Sequence, residues 1–393
     1  MPEEGCPARC CRVPRLLDLP TMTDRPPPPW DSNGRFPTRR RALRWLLGGS
    51  AMVGAGSWAK DDWLSAGPGW QGPVSDHFDG RVFFNPGMPR GDKSWIDLWR
   101  WRLSGGRVRW PERAADSDRL PVAGTPPEPG RDGAVAATLV GHATFLLRWR
   151  GLTVLTDPVW SDRCSPVTWA GPKRARPPAV AWDDLPRVDL VLLSHNHYDH
   201  LDLTTLRRLE AHSRPLIVTG LGNRAFLAGH GLTRVVELDW WQAHAAAGAR
   251  VTFAPAIHWS NRGGDSRNAT LWGAFMIEAA GTRVYFAGDT GYGAHFAETR
   301  RRLGVPDLAL LPIGAYEPRW FMQTMHMNPE EAVQAHHDLV ARRSLGFHFG
   351  TWQLTDEGID APVQALAEAR AASGLEEDAF RAPGFGRTIE TVA

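Results

Sequence analysis

Four cysteines in 393 residues leave little to cross-link. Cys6, Cys10 and Cys11 crowd the first dozen positions and Cys164 stands alone in the body, so no disulfide framework is expected. The Cys-x3-Cys-Cys cluster also lacks a nearby histidine or further cysteine to complete a metal set. No apolar run reaches the ~20 residues needed to span a bilayer. No repeat of solenoid period is visible. Nor is there a surplus of one charge. The net is +2, with ten basic and five acidic residues in the first 60 positions and 35 against 38 in the remainder. A near-neutral body excludes a broad nucleic-acid-binding face.

The chain is apolar enough (42%) to bury a large core, and it is rich in Trp (19) where Tyr is scarce (4). Residues 1–37, with Pro26-Pro27-Pro28-Pro29 and no apolar periodicity, read as a disordered leader. Residues 38–59 join Arg39-Arg40-Arg41 to a short apolar core and small residues, the layout of a twin-arginine export signal. The expectation is a protein exported to the periplasm or envelope, with an uncleaved anchor, or a cytoplasmic chain with a surface helix here, as the alternatives. Residues 60–133 form a Trp/Pro/Gly-rich extension packed on the body. Within it Trp95, Leu98, Trp99 and Arg102 fall at helical spacing. Such a helix suits either a membrane interface or the protein's own surface.

The organised body covers residues 134–393. Val135–Trp149 and Leu152–Thr156 read as a strand pair joined at Arg150-Gly151. Further strands are expected at 188–193, 216–219, 234–238, 251–256, 270–278, 282–287, 308–312 and 344–347. Helices are expected at 203–210, 294–303, 329–340 and 362–372, with Asn328 as N-cap and Pro329 opening its helix. A paired strand run followed by strand–helix alternation implies layered α/β with two sheets.

Ser194 to Asp202 is the centre of this pattern. Directly after the buried strand come His195, His197, Asp199 and His200, an N/O donor set suited to zinc or a similar first-row divalent cation. Three more donor-type residues stand at later strand exits: His258, Asp289 and His348. Gly288 and Gly291, flanking Asp289, are expected to let backbone approach a metal closely.

His195-x-His197-x-Asp199-His200 with these later residues resembles the metallo-β-lactamase fold superfamily. The runs Gly171-Pro172-Lys173-Arg174, Phe286-Ala287-Gly288-Asp289-Thr290-Gly291-Tyr292 and Ile313 to Met322 resemble, within it, N-acylphosphatidylethanolamine-hydrolysing phospholipase D and its bacterial relatives. The resemblance implies an α/β fold, the αββα sandwich of two mixed sheets flanked by helices. It assigns His195, His197 and His258 to one metal and Asp199, His200 and His348 to a second, with Asp289 bridging two zinc ions or similar divalent metals. Two such metals hold a bridging hydroxide for attack on phosphorus. Asp289 and His326 are then the catalytic residues, His326 assisting the leaving oxygen. His142 becomes an orienting partner for a ligand, and Tyr316, Glu317 and Arg319 a polar network beside the site. His244, His295, His336 and His337 have no such context.

The implied activity is a phosphodiesterase of phospholipase D type acting on a phospholipid partner, with peripheral membrane contact and a homodimer expected. The alternative is another hydrolase on this fold, a lactonase or soluble phosphodiesterase. A redox member of the family would carry Glu where His197 stands.

Overall fold

The computed structural model describes residues 67–88, 93–264 and 266–391. Residues 1–37, expected as a leader, residues 38–59, expected as an export signal, and Cys6, Cys10 and Cys11 lie outside the described residues. Among the described residues, no helix is long and apolar enough to cross a membrane.

In chain order the strands are β1 (Val135–Gly141), β2 (Thr144–Trp149), β3 (Leu152–Thr156), β4 (Leu190–Leu193), β5 (Leu216–Gly220), β6 (Val235–Leu238) and β7 (Ala243–Ala246). They continue with β8 (Ala249–Ala254), β9 (Ala274–Ala279), β10 (Thr282–Phe286), β11 (Leu308–Pro312), β12 (Arg343–Phe347), β13 (Phe380–Arg381) and β14 (Thr388–Thr391). The helices are α1 (Trp95–Leu103), α2 (Leu203–His212), α3 (Arg224–Gly229), α4 (His295–Leu303), α5 (Arg319–Met322), α6 (Pro329–Leu339) and α7 (Ala361–Ser373).

Two seven-stranded sheets result, ordered β14-β1-β2-β3-β4-β5-β6 and β13-β12-β11-β10-β9-β8-β7. Each is mixed: β14, β1, β2 and β3 pair antiparallel and β3 to β6 parallel, and β7 to β10 repeat the antiparallel half before β10 to β13 run parallel. The expected two-sheet α/β architecture is therefore present. Strands β1, β3 and β11 are buried along their whole length, as strands covered on both faces require. One core joins side chains of both sheets, including Leu147, Val154, Phe253, Phe275, Phe286 and Phe347. A second lies between the first sheet and α2, through Leu146, Val191, Leu206 and Leu209.

The expected single strand Val135–Trp149 is two. His142 takes a left-handed backbone (φ 53°) and breaks the run. Its N–H donates to Thr351 Oγ1 (2.8 Å) and its carbonyl accepts the N–H of His348 (3.1 Å). The turn is thus held by residues two hundred positions away, which no local pattern reveals. Strand β7, with the bland Ala-His-Ala-Ala, and the edge strands β13 and β14 carry no apolar alternation and were not expected; neither was α3.

Residues 67–133 contribute Phe78 and Phe83, each 1% exposed, to the main core. Helix α1 starts at a capping box between Ser94 and Asp97. It docks through Trp101, whose Nε1 donates to Asp356 (2.8 Å) and whose ring meets Phe321 at 4.9 Å. Its opposite side leaves Ile96, Trp99 and Leu103 exposed. Helix α6 begins as expected, with Asn328 and Glu331 capping each other and Pro329 in the first turn.

Candidate metal centre

Strand β4 delivers its exit loop into a buried junction. Ser194 donates its N–H and hydroxyl to the Asp157 carboxylate at the end of β3 (2.8 and 2.6 Å). The next turn closes on itself, with the N–H groups of His200 and Leu201 donating to His197 O. Arg262 clamps the loop from outside: its Nη1 donates to the carbonyls of Asn196 (3.1 Å) and Leu201 (2.8 Å), and its guanidinium lies over the Tyr198 ring. At 2% exposure that cation sits in the interior. Burial lowers its pKa to about 10, so it stays charged at neutral pH.

The remaining donors arrive from the second sheet. Gly288 follows β10 with φ 59°, and a Cβ there would stand 2.7 Å from Ser194 Cβ and 3.0 Å from Gly273 O. Gly291 in turn passes Thr324 O, which a Cβ would meet at 2.9 Å. The two glycines therefore admit neighbouring backbone and side chain, where the sequence suggested close approach to a metal. His348 leaves β12 with φ 65°, and Asp157 has φ 33°. Left-handed backbone at His142, Asp157 and His348 marks local strain of the kind that gathers at functional sites.

All seven sequence-predicted donors converge. His195 Nε2 lies 2.8 Å from His197 Nδ1, which lies 3.4 Å from His258 Nε2. Donors at zinc–nitrogen distances around a tetrahedral ion are about 3.4 Å apart, so this spacing fits one cation. Asp199 Oδ2 lies 3.5 Å from His200 Nε2 and 3.6 Å from His348 Nε2. Asp289 Oδ2 stands between the groups, 3.2 Å from His200 Nε2, 3.1 Å from His348 Nε2 and 3.9 Å from His258 Nε2. His200 Nε2, His348 Nε2 and Asp289 Oδ1 are buried without a hydrogen-bond partner. Buried polar atoms ordinarily find partners, and orphaned donors gathered in one place fit a metal site.

Electrostatics point the same way. Burial opposes charge on His200 and His348, but Asp289 and Asp199 outweigh it; His200 is raised well above the usual histidine range and His348 up to about 9. Asp199 and Asp289 are buried, yet His200 foremost among their neighbours holds both well below the usual carboxylate range. His195 and His258 are pushed well below the ordinary histidine value by burial and by neighbouring imidazoles, and His197 to about 4 mainly by burial. The pocket is arranged around two carboxylates that demand positive charge.

His142 Nε2 contacts Asp199 Oδ2 at 3.0 Å, which places it as an orienting partner. His326 presents a buried, unpartnered Nδ1 3.9 Å from Asp289. Arg319 reaches the same place: its Nη1 donates to His326 O (2.9 Å) and its Nη2 to both Glu331 carboxylate oxygens (2.8 Å each), while its backbone N–H donates to Glu317. The half-exposed His244 belongs to edge strand β7, and His295, His336 and His337 belong to α4 and α6, apart from the donor groups.

Sequence reasoning passed over two residues that shape the site. Asp157 accepts from His200 Nδ1 (2.7 Å) as well as from Ser194. A carboxylate at a strand exit is the same signal that picks out Asp289, and Asp157 stands directly after β3. Arg262 carries no such signal, because its role depends on two carbonyls distant in sequence.

Two mixed sheets in an αββα sandwich, with histidine and aspartate clusters at the strand exits, define a metal-dependent hydrolase of the metallo-β-lactamase fold. The chain belongs to the β-lactamase superfamily, whose domain matches residues 153–349. It is 38% identical over 348 residues to an uncharacterised protein of Mycobacterium tuberculosis, covering 84% of this chain and 91% of that one. It is also 38% identical over 273 residues to N-acyl-phosphatidylethanolamine-hydrolyzing phospholipase D 1 of Caenorhabditis elegans, covering 66% of this chain and 76% of the relative. Among solved structures, an isothiocyanate hydrolase from Delia radicum gut bacteria aligns with TM-score 0.52 at 22% identity, over 65% of this chain and 98% of that one, a likeness of fold.

Proposed function

We propose that this hydrolase cleaves a phosphodiester in the manner of a phospholipase D, with N-acylphosphatidylethanolamine or a related phospholipid as substrate. The observation that carries the reading is the 38% identity to the nematode phospholipase D across three quarters of that enzyme. In this reading His195, His197 and His258 hold one divalent metal, Asp199, His200 and His348 hold another, and Asp289 serves both. When bound, two such ions supply a nucleophile from water at neutral pH and a clamp on phosphoryl oxygens.

The other roles belong to the chain itself. Burial pushes the pKa of His326 down to about 4, so at neutral pH the ring is unprotonated, and it would take up at Nδ1 the proton given up by the attacking water and deliver it to the departing oxygen as the phosphorus–oxygen bond breaks. Arg319, anchored on Glu331, holds the His326 backbone in place. His142 and Asp157 orient Asp199 and His200 from behind. The exposed Ile96, Trp99 and Leu103 of α1, with Arg100 and Arg102 beside them, suit contact with a bilayer surface. Export by the twin-arginine segment and assembly as a homodimer complete the proposal.

A panel of N-acylated and plain phospholipids, soluble phosphodiesters and lactones tests it. The expected products are phosphatidic acid and an N-acylethanolamine. Turnover of lactones or soluble diesters with no release from any phospholipid would overturn the lipid assignment.

A further inference from the structure

Apart from the metal centre, a cavity of about 680 Å³ opens between residues 107–112 and the 163–173 loop. Arg107, Arg109, Arg163 and Lys173 line it, with Trp110 and Gln353; Glu112 is the one carboxylate among its lining residues. The cations are placed by backbone that is itself tied down. Arg107 donates to Gln353 O (2.7 Å), Gln353 Nε2 donates to Val108 O (2.6 Å), and Trp110 Nε1 donates to Glu357 O (2.8 Å). On the facing wall Arg163 and Lys173 form a β-bridge, and Arg163 also donates to Gly171 O. Arg174 N–H donates to Asp162 O (2.8 Å) and Trp352 Nε1 to the same carbonyl (3.2 Å).

Both walls therefore hang on residues 351–357, which follow His348. Trp352, tied to the facing wall through Asp162 O, has its ring 4.9 Å from that of His142. Arg109 and Lys173 make no side-chain hydrogen bond or ion pair with any described residue. Arg107 and Arg163 are engaged by backbone carbonyls, and Asp356 and Glu357 act on Arg107, so the positive charge left without a partner is that of Arg109 and Lys173.

We infer that this cavity is a second binding site, for a phosphate ester group. Guanidinium forks match phosphate oxygens in pairs, and the ammonium adds a point charge. The surplus suits a group of more than one negative charge better than a lone carboxylate. A phospholipid headgroup and a free phosphate ester share this chemistry. Exposed Val108 and Trp169, on the two segments that form the walls, give a lipid apolar surface to lie against. The inference concerns binding alone, so its failure would leave the reading of the metal centre untouched.

The test uses the full, metal-loaded chain, an Arg109→Glu/Lys173→Glu double variant, and an Arg187→Glu/Arg207→Glu control that makes the same charge change on another face. All four side chains are exposed, and of them only Arg187, 4.0 Å from Asp189, and Arg207, 3.4 Å from His230 O, have a partner; thermal unfolding of each variant checks that the fold is kept. One arm measures co-sedimentation with phosphatidylcholine vesicles, with and without phosphatidylglycerol; the other titrates inorganic phosphate by calorimetry. The double variant is expected to lose affinity for phosphatidylglycerol vesicles by about tenfold or more while the control does not. Unchanged vesicle binding with loss of one phosphate equivalent supports the site and names a free phosphate ester as its ligand. Equal losses in the control, or a double variant that matches wild type with both probes, would overturn the proposal.

Discussion

The Asp157 carboxylate lies 2.7 Å from Nδ1 of His200, on the far side of the ring from the Nε2 that faces Asp289. One buried acid thus fixes the orientation of a candidate ligand and, through Ser194, the start of the loop that carries three others. Replacing it with asparagine keeps the volume and weakens the grip. Asp157→Asn should lower metal affinity about 10–100-fold in chelator competition. Affinity equal to wild type would show that Asp157 serves only the fold.

Filling the site should expel protons. In the metal-free chain His200 is raised well above its usual range and His348 to about 9, so both are protonated at pH 7.5. Their Nε2 atoms must lose those protons to bind a cation. Metal affinity should therefore rise with pH up to about 9 and fall in acid. Calorimetry in buffers of different ionisation heat reads the released protons directly, and a buffer-independent heat would contradict the assignment.

Asp289 and His326 should separate into different roles. Asp289→Ala removes the carboxylate shared by both donor groups, and metal content should drop from about two equivalents to one or fewer. His326→Gln should keep its metal and lose turnover about 100-fold or more. Full metal content in Asp289→Ala would sink the bridging role. A His326→Gln protein that had lost metal would make His326 a ligand instead.

A histidine remote from the centre gives a pH signature of stability. His336 is buried against Phe380 with Nδ1 2.8 Å from Ser344 Oγ, and burial followed by His337 lowers its pKa to about 4. A depressed histidine pKa means that the unfolded chain takes up the proton first as pH falls below about 6.5. Stability should therefore be lost between about pH 6.5 and pH 4, by on the order of 2 kcal/mol at pH 5. Denaturant unfolding of His336→Gln at pH 7 and pH 5 should show a correspondingly smaller drop than wild type.

The donors were legible because each stands where a strong local pattern ends. Val188 to Leu193, Val251 to Ile257, Val284 to Gly288 and Ser344 to Phe347 are largely apolar runs, and the polar residue after each is conspicuous. The fold was legible for the same reason, since buried strands and the Asn328-Pro329 helix start write themselves into short stretches. What escaped depends on distant partners. The break at His142 is held by Thr351 and His348, the Arg262 clamp by carbonyls at 196 and 201, and β14 by its pairing with β1. Local periodicity is blind to such contacts.

The order in which the chain is made gives the C-terminal strands a further meaning. Strand β14 covers the open edge of β1, with Thr391 opposite Val135, and β13 lies along β12. Until residues 380–391 have left the ribosome, both sheets expose a strand edge, and every residue of β1 is one that the finished fold buries. Such edges recruit other chains. Loss of residues 380–391 would therefore bare two strand edges at once, and its consequence would be association between chains more than a slightly weakened fold.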